Sequence, residues 1–192
     1  MISITKFLAK LFISSLLFSL TSQVYAQKRI PMSQTVTKRE VSMANAAGKR
    51  SDGMYRYYAK GDDKPFTGIL FAKYSNGKYA SWQEYENGIG QGKWINYYEN
   101  GNFKEVGHYN HNLVEGPIKK YYENGALKAE GNYKDWRIKV GVWKYYNLNG
   151  TLRSTIDYGK KGSIEEVQQF YEKGEISYSW YSDILSKNGF KE

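Results

Sequence analysis

Gly92-Lys-Trp-Ile-Asn-Tyr-Tyr-Glu-Asn-Gly101 is followed by Gly116-Pro-Ile-Lys-Lys-Tyr-Tyr-Glu-Asn-Gly125 and Gly141-Val-Trp-Lys-Tyr-Tyr-Asn-Leu-Asn-Gly150, with a looser Gly68-Ile-Leu-Phe-Ala-Lys-Tyr-Ser-Asn-Gly77 ahead of them. The first glycines of the four stretches are 24, 24 and 25 residues apart, and the second glycine always lies nine residues after the first. A period of this length is the mark of one supersecondary unit stacked many times. A fifth, weaker copy is expected to end at Phe170-Tyr-Glu-Lys-Gly174, with Glu165 in place of its first glycine.

Each Asn-Gly, at 76–77, 100–101, 124–125 and 149–150, sits at the same point of the repeat. Asn-Gly between alternating apolar and polar residues predicts a β-hairpin closed by a two-residue type I′ turn, which needs positive φ at both positions. The fold expected is therefore all-β, an elongated antiparallel sheet of tandem β-hairpin repeats of about 24 residues. With Asn100-Gly101 central, Tyr98 would face Phe103, Tyr97 would face Lys104, Ile95 would face Val106 and Trp94 would face Gly107.

Strand alternation sorts these residues onto two faces. The expected core stripe is Trp94, Tyr98, Phe103 and Tyr109, matched by Ile118, Tyr122, Leu127 and Tyr133 and by Trp143, Leu152 and Tyr158. A tyrosine recurs eight residues after each turn glycine, at 85, 109, 133 and 158. The opposite face is expected to pair Tyr97 with Lys104, Tyr121 with Lys128 and Tyr146 with Arg153, and to set Lys119 against Glu130. Such pairs serve a hairpin as ordinary cross-strand contacts of about 0.2–1 kcal/mol each. They also form a ladder of aromatic and cationic groups of the kind enriched at binding surfaces, so these six residues are the candidate binding set.

The ends read differently. Residues 1–26 have the form of a secretory signal: Lys6 and Lys10, the apolar run Leu11 to Leu20, then Val24-Tyr-Ala26, with cleavage expected after Ala26. The run is short for a permanent anchor. The chain is expected to be exported, periplasmic or secreted. It has no cysteine, so neither a lipidated cysteine nor a disulfide is available. Of the formal charge of +9, residues 27–52 carry six Lys or Arg against Glu40 and Asp52, and residues 53–192 net only +3. The repeat body is too mildly basic to suggest nucleic acid. Residues 27–52, with little apolar periodicity, are expected to be a flexible basic leader whose Lys-Arg pairs suit an anionic membrane surface. The repeat domain is then 53–192, with Met54–Tyr58 as a degenerate first strand and Trp180, Tyr181, Ile184, Leu185 and Phe190 closing the far end.

Gly, an aromatic two residues later, Tyr-Tyr-Glu-Asn-Gly, then Leu or Phe before Lys and a following Tyr, resembles the MORN-variant repeat, over about residues 64–182. The array looks like those of the YwqK family of bacterial proteins labelled antitoxins. That resemblance implies a sheet of hairpins used as an interaction platform for a protein partner or anionic lipid, and, as one reading, neutralisation of a cognate toxin.

No catalytic set is expected. The two histidines, His108 and His111, lie three apart near a strand end, which does not converge ligands on a metal. Asp62-Asp63 and Glu165-Glu166 are sequence neighbours that point apart in a strand or turn, and read as solvated charge. Gly88-Ile-Gly-Gln-Gly-Lys93 lacks the spacing of a phosphate loop and reads as the link between two hairpins. No cofactor is expected.

Overall fold

The loops that close the hairpins hold three residues. In the computed structural model, which describes residues 38–51 and 53–191, Gly101 N–H donates to the Tyr98 carbonyl at 2.8 Å and Tyr98 N–H donates to the Asn102 carbonyl at 2.8 Å. Glu99, Asn100 and Gly101 lie between, and only Gly101 takes positive φ, at 91°. The same two bonds close the loops ending at Gly77, Gly125 and Gly150. In each loop the asparagine Oδ1 accepts from the backbone N–H two residues on, as Asn100 does from Asn102 at 2.9 Å. This geometry, a type I turn followed by a left-handed glycine, replaces the expected two-residue type I′ turn.

The extra loop residue shifts the register. Trp94 still faces Gly107 and Ile95 still faces Val106, but a bulge between Asn96 and Tyr97 sets Tyr97 against Phe103. Equivalent bulges set Tyr121 against Leu127 and Tyr146 against Leu152. The expected pairs Tyr97–Lys104, Tyr121–Lys128 and Tyr146–Arg153 therefore do not form. Phe103, Leu127 and Leu152 leave the expected core stripe for the opposite face, because a one-residue slip inverts side-chain parity.

Two-residue turns with positive φ at both positions do occur, between hairpins rather than within them. They are Asn87-Gly88 at 49° and 76° and His111-Asn112 at 50° and 68°, and the third such link is the triplet Asp135-Trp136-Arg137 at 41°, 63° and 65°. Gly88 thus belongs to a turn, while Ile89 to Lys93 already run in a strand. Just beyond each link the register shifts again, by two residues, around Gly92, Gly116 and Gly141, whose φ values are 100°, 77° and 60°.

The hairpins are β4 (Gly68–Lys73) with β5 (Tyr79–Glu86), β6 (Ile89–Tyr97) with β7 (Phe103–Asn110), β8 (Leu113–Tyr121) with β9 (Leu127–Lys134), and β10 (Ile138–Tyr146) with β11 (Leu152–Asp157). They join in sequence order into an antiparallel sheet, to which β1 (Glu40–Ser42) adds a parallel edge beside β4. A separate hairpin joins β2 (Ala46–Ser51) to β3 (Met54–Ala59). The expectation of a flexible leader is thus corrected over residues 40–51. Val41, Met43 and Ala46 pack on the cluster of Ala59, Phe66, Leu70 and Tyr85, and β1 covers an edge that β4 would otherwise leave unpaired. Two of the basic pairs are engaged: Lys38 meets Glu84 at 2.7 Å, Arg39 pairs with Asp62, and Lys49 lies 5.1 Å from the Tyr58 ring. Residues 1–26 and the first part of the leader lie outside the described residues, as does the expected cleavage site.

The fifth repeat is not a hairpin. Glu165–Glu172 forms a helix, α1, and Tyr178–Lys187 a second, α2. The α1 segment is rich in Glu and Gln, lacks an Asn-Gly, and begins with two acids that suit the positive end of a helix dipole. On the core face of the sheet, Trp94, Ile118, Tyr133 and Trp143 are buried together with Val167, Ile176 and Ile184 from the helical segment. Tyr85 and Tyr133 are buried on the same face, and Tyr109 and Tyr158 pack against its core. Of the residues expected at the far end, Ile184 and Leu185 are buried, Tyr181 and Phe190 pack beside them, and Trp180 lies 5.3 Å from Trp136.

A buried ionic cluster fastens α1 to the sheet. Glu166 accepts from Lys120 Nζ at 2.8 Å, from Tyr133 Oη at 2.7 Å and from Arg137 Nη1 at 2.8 Å. Arg137 also meets Glu105 at 3.1 Å. This corrects the reading of Glu165-Glu166 as solvated charge: successive residues on a helix point in directions about 100° apart, so Glu165 is exposed and Glu166 is buried. Burial pushes the Glu166 carboxyl up, but Lys120 and Arg137 outweigh it and hold the group below its usual value. The three consecutive left-handed residues of the β9–β10 link place Trp136 and Arg137 inward, a strained backbone held by the contacts it creates.

Replacing Glu166 by Ala is expected to cost roughly 3–5 kcal/mol at neutral pH in chemical denaturation, because Lys120 and Arg137 lose a buried partner. The folded carboxyl titrates below its unfolded value of about 4.3. Its contribution is therefore complete above that pH and is lost as pH falls through the folded value. The stability gap between the native protein and Glu166→Gln should narrow over that acid window, and a gap constant down to full protonation would contradict the assignment.

Candidate binding face

The face of the sheet opposite the helices carries one residue from each strand at the loop end of every hairpin: Lys73 and Tyr79, Tyr97 and Phe103, Tyr121 and Leu127, Tyr146 and Leu152. Phe71 stands beside Tyr79, and the rings follow one another across the strands. Centroid separations are 5.5 Å for Phe71–Tyr79, 6.2 Å for Tyr79–Tyr97, 5.6 Å for Tyr97–Phe103 and 5.9 Å for Phe103–Tyr121. Edge and tilted contacts at these distances are favourable ring geometries. Burial beside Tyr79 pushes the Tyr97 phenol up to about 12, and burial likewise raises Tyr121 and Tyr146, so all three are neutral hydroxyls near pH 7.

A second row runs parallel to the first. It is apolar at one end, where Trp82, Ile95 and Val106 pack together with Ile69, and ionic at the other, where Lys119, Glu130 and Lys144 alternate in sign across β8, β9 and β10. Lys119 and Glu130 face each other as expected, at 3.9 Å, and Glu130 also accepts from Tyr146 Oη at 2.8 Å.

The tyrosine next to each row member holds the array in step. Tyr74 Oη donates to the Tyr97 carbonyl at 2.7 Å, Tyr98 Oη to the Tyr121 carbonyl at 2.8 Å and Tyr122 Oη to the Tyr146 carbonyl at 2.9 Å. Asn76 Nδ2 and Asn100 Nδ2 reach the carbonyls of Glu99 and Glu123 in the following loops, at 3.0 and 2.8 Å. Each hairpin thus fixes the backbone beneath the half-buried tyrosine of the next.

Of the six candidate residues, Tyr97, Tyr121 and Tyr146 share the outer row. Lys104, Lys128 and Arg153 are exposed but attend other rings: Lys104 lies 5.9 Å from Tyr98, Lys128 5.6 Å from Tyr122 and Arg153 5.9 Å from Tyr145. Phe71, Tyr79 and Phe103 are row members that sequence reasoning missed. Their signal was the recurrence of Tyr79, Phe103, Leu127 and Leu152 eleven residues after each first glycine, which a three-residue loop would have placed across from the tyrosines.

The buried cluster of Glu105, Lys120, Tyr133, Arg137 and Glu166 turns its donors and acceptors on one another. A cleft of about 430 Å³ between β8, the β9–β10 link and α2 is edged by an ion pair, Lys187 with Asp135, at 3.0 Å. His108 is exposed on a strand and His111 occupies a turn, with Nδ1 2.7 Å from Asn110 Oδ1. Among the described residues no three His, Asp or Glu side chains are grouped as metal ligands, and no helix is long and apolar enough to cross a membrane.

A family model described as a MORN repeat variant matches residues 90–111, 114–135 and 139–160. Each match spans one hairpin, β6–β7, β8–β9 or β10–β11. Repeats of this kind are commonly protein- or membrane-binding modules and are generally not enzymes. No curated protein and no solved structure matches the chain.

Replacing Tyr122 by Phe removes the donor to the Tyr146 carbonyl while keeping the ring. It is expected to cost about 0.5–1.5 kcal/mol in denaturant unfolding, and Tyr98→Phe should cost a similar amount through Tyr121. A cost confined to one of the two would show that the ladder is not a repeated support.

Proposed function

We propose that the chain is an exported, non-catalytic repeat protein that captures a protein partner on the outer face of its sheet. The observation that carries this reading is the continuous aromatic row from Phe71 to Tyr121, extended by Leu127, Tyr146 and Leu152. Tyrosine combines a large contact area with few rotamers to lose and is enriched where proteins bind. The hydrophobic cluster on this face is made of strand residues alone, whereas the helices and the N-terminal hairpin pack on the other face.

The ionic row favours a protein over an anionic membrane. Lys119 and Lys144 alternate with Glu130 there, and a mixed pattern suits a partner with its own mixed charges, while a lipid surface rewards a single sign. Lys104, Lys128 and Arg153, which attend Tyr98, Tyr122 and Tyr145 instead of the row, are not part of the capturing surface. A toxin-neutralising role, which the resemblance to the YwqK family would imply, is one form of the same capture. Export would place that toxin outside the cytoplasm.

Photo-crosslinking residues at Tyr97, Tyr121 and Tyr146 in the native host should each yield an adduct with the same protein species, absent when the probe replaces Lys160. Loss of that adduct from a probe at Phe103 in the Tyr97→Ser, Tyr121→Ser, Tyr146→Ser background, with the circular dichroism unchanged, is the expected result. Adducts to lipid alone, with salt-sensitive sedimentation on phosphatidylglycerol vesicles, would transfer the reading to the membrane surface. Intact mass of the protein recovered outside the cytoplasm should show a chain beginning at Gln27. Full-length protein retained in the cytoplasm would overturn export.

A further inference from the structure

The four hairpin loops do not hold their asparagines alike. In each, the glycine N–H donates to the carbonyl three residues back, at 3.0, 2.8, 2.9 and 2.9 Å for Gly77, Gly101, Gly125 and Gly150. Each asparagine Oδ1 also accepts from the N–H two residues on. The side-chain nitrogens differ. Asn76 Nδ2 donates to the Glu99 carbonyl at 3.0 Å and Asn100 Nδ2 to the Glu123 carbonyl at 2.8 Å, so both ends of these amides are tied, one to their own loop and one to the next. Leu148 stands where Glu99 and Glu123 stand in the earlier loops, but among the described residues Asn124 Nδ2 makes no hydrogen bond to it or to any other group. Asn149 is followed by no further loop, and its Oδ1 accepts twice from Thr151, from N–H at 3.1 Å and from Oγ1 at 2.7 Å. Asn124 is thus exposed and held at one point, Ala126 N–H at 3.0 Å.

We propose that Asn124-Gly125 is a site of spontaneous deamidation, with water as the co-reactant, which the fold leaves open while it protects the matching pairs at 76–77 and 100–101. Glycine carries no Cβ to obstruct attack on the preceding side chain. The Gly125 nitrogen gives up its proton to base and bonds to Asn124 Cγ; the Cγ–Nδ2 bond breaks and the nitrogen leaves as ammonia, closing a five-membered imide. Water then opens the imide at either carbonyl carbon. One opening leaves aspartate, and the other leaves isoaspartate with the main chain running through Cγ. In both, an amide has become a carboxylate with no change of oxidation state. For the ring to close, Cγ must swing onto the glycine nitrogen, and the hydrogen bonds of the side-chain amide must be released. Asn124 releases one, whereas Asn76 and Asn100 each release two that pull toward different loops. Lys78 Nζ restrains the Asn100 loop further by donating to the Asn100 carbonyl at 2.8 Å. A fifth pair, Asn87-Gly88, is closed in another way: Gly88 is buried and its N–H donates to the Phe66 carbonyl at 2.7 Å, away from base. The loop that changes closes the Tyr121–Leu127 pair, so ageing acts first on the β8–β9 hairpin.

This chemistry is independent of the proposed outer-face capture, and the chain carries its own control. Asn100 and Asn124 both stand in Tyr-Tyr-Glu-Asn-Gly, so a difference in their rates comes from the fold and not from neighbouring residues. The test is incubation of the folded chain at mildly alkaline pH, with timed samples digested and read by mass spectrometry for acid in place of amide at each asparagine. Asn124 should convert about fivefold faster than Asn100, the ratio that one net hydrogen bond supplies. In the urea-unfolded chain, where both pairs keep their glycine and lose their hydrogen bonds, the two rates should agree within about twofold. A native Asn100 as reactive as Asn124, a native Asn124 still intact when the unfolded chain has converted fully, or a preference for Asn124 that persists in urea would each overturn the proposal.

Discussion

A single extra residue in each hairpin loop governs which side chains meet. Alternation along a strand has a period of two, so one inserted residue inverts every assignment between the bulge and the loop. Here the inversion sends Phe103, Leu127 and Leu152 to the side of Tyr97, Tyr121 and Tyr146. Away from the bulge Trp94, Ile118 and Trp143 remain in the core. The loop glycine makes the arrangement possible, since it is the one loop residue that must turn left-handed. The protein thereby obtains two distinct faces from one repeated motif: large apolar groups under the helices, and a row of half-buried rings on the other side.

The repeats are coupled by more than ladder hydrogen bonds. Tyr74, Tyr98 and Tyr122 each reach the backbone of the next hairpin, and Asn76 and Asn100 reach its loop. These bonds span neighbours only, as expected of an array whose stability is a sum over units and their interfaces. The terminal units depart from this plan because an open array must be stopped. At the start, β1 and the β2–β3 hairpin pack against the first repeat. At the other end, α1 and α2 cover the core face, and the Glu166 cluster fastens them with charges that burial would otherwise make costly. The strand β11 ends the sheet on that side.

Charge is arranged to match. The two cations and two carboxylates of the buried cluster largely cancel, while the lysines of the outer face alternate with acids instead of forming one basic field. The excess positive charge lies mostly before Gly53, in a segment whose last residues are already tied to the first repeat by Lys38 and Arg39. A surface so balanced discriminates by matching groups at short range, which is the behaviour of a protein interface more than of a polyanion binder.

The sequence by itself determined the four hairpins that carry Asn-Gly and their spacing, the tyrosines at 85, 109, 133 and 158 on the core face, and the pairing of Trp94 with Gly107. These follow from local periodicity and turn chemistry, which neighbouring residues specify. The loop type was only half legible: Asn-Gly announces a turn, but two-residue and three-residue closures both accept it, and the choice between them reassigns Tyr97, Tyr121 and Tyr146 to new partners. The helices beyond Gly162 were concealed by a chance likeness of Phe170-Tyr-Glu-Lys-Gly174 to the repeat. Burial of Glu166 was concealed because its partners Lys120, Tyr133 and Arg137 are 29 to 46 residues away in the chain. Tertiary structure alone decided which cations meet which rings and which carboxylate is buried, since each depends on groups brought together only when the hairpins stack.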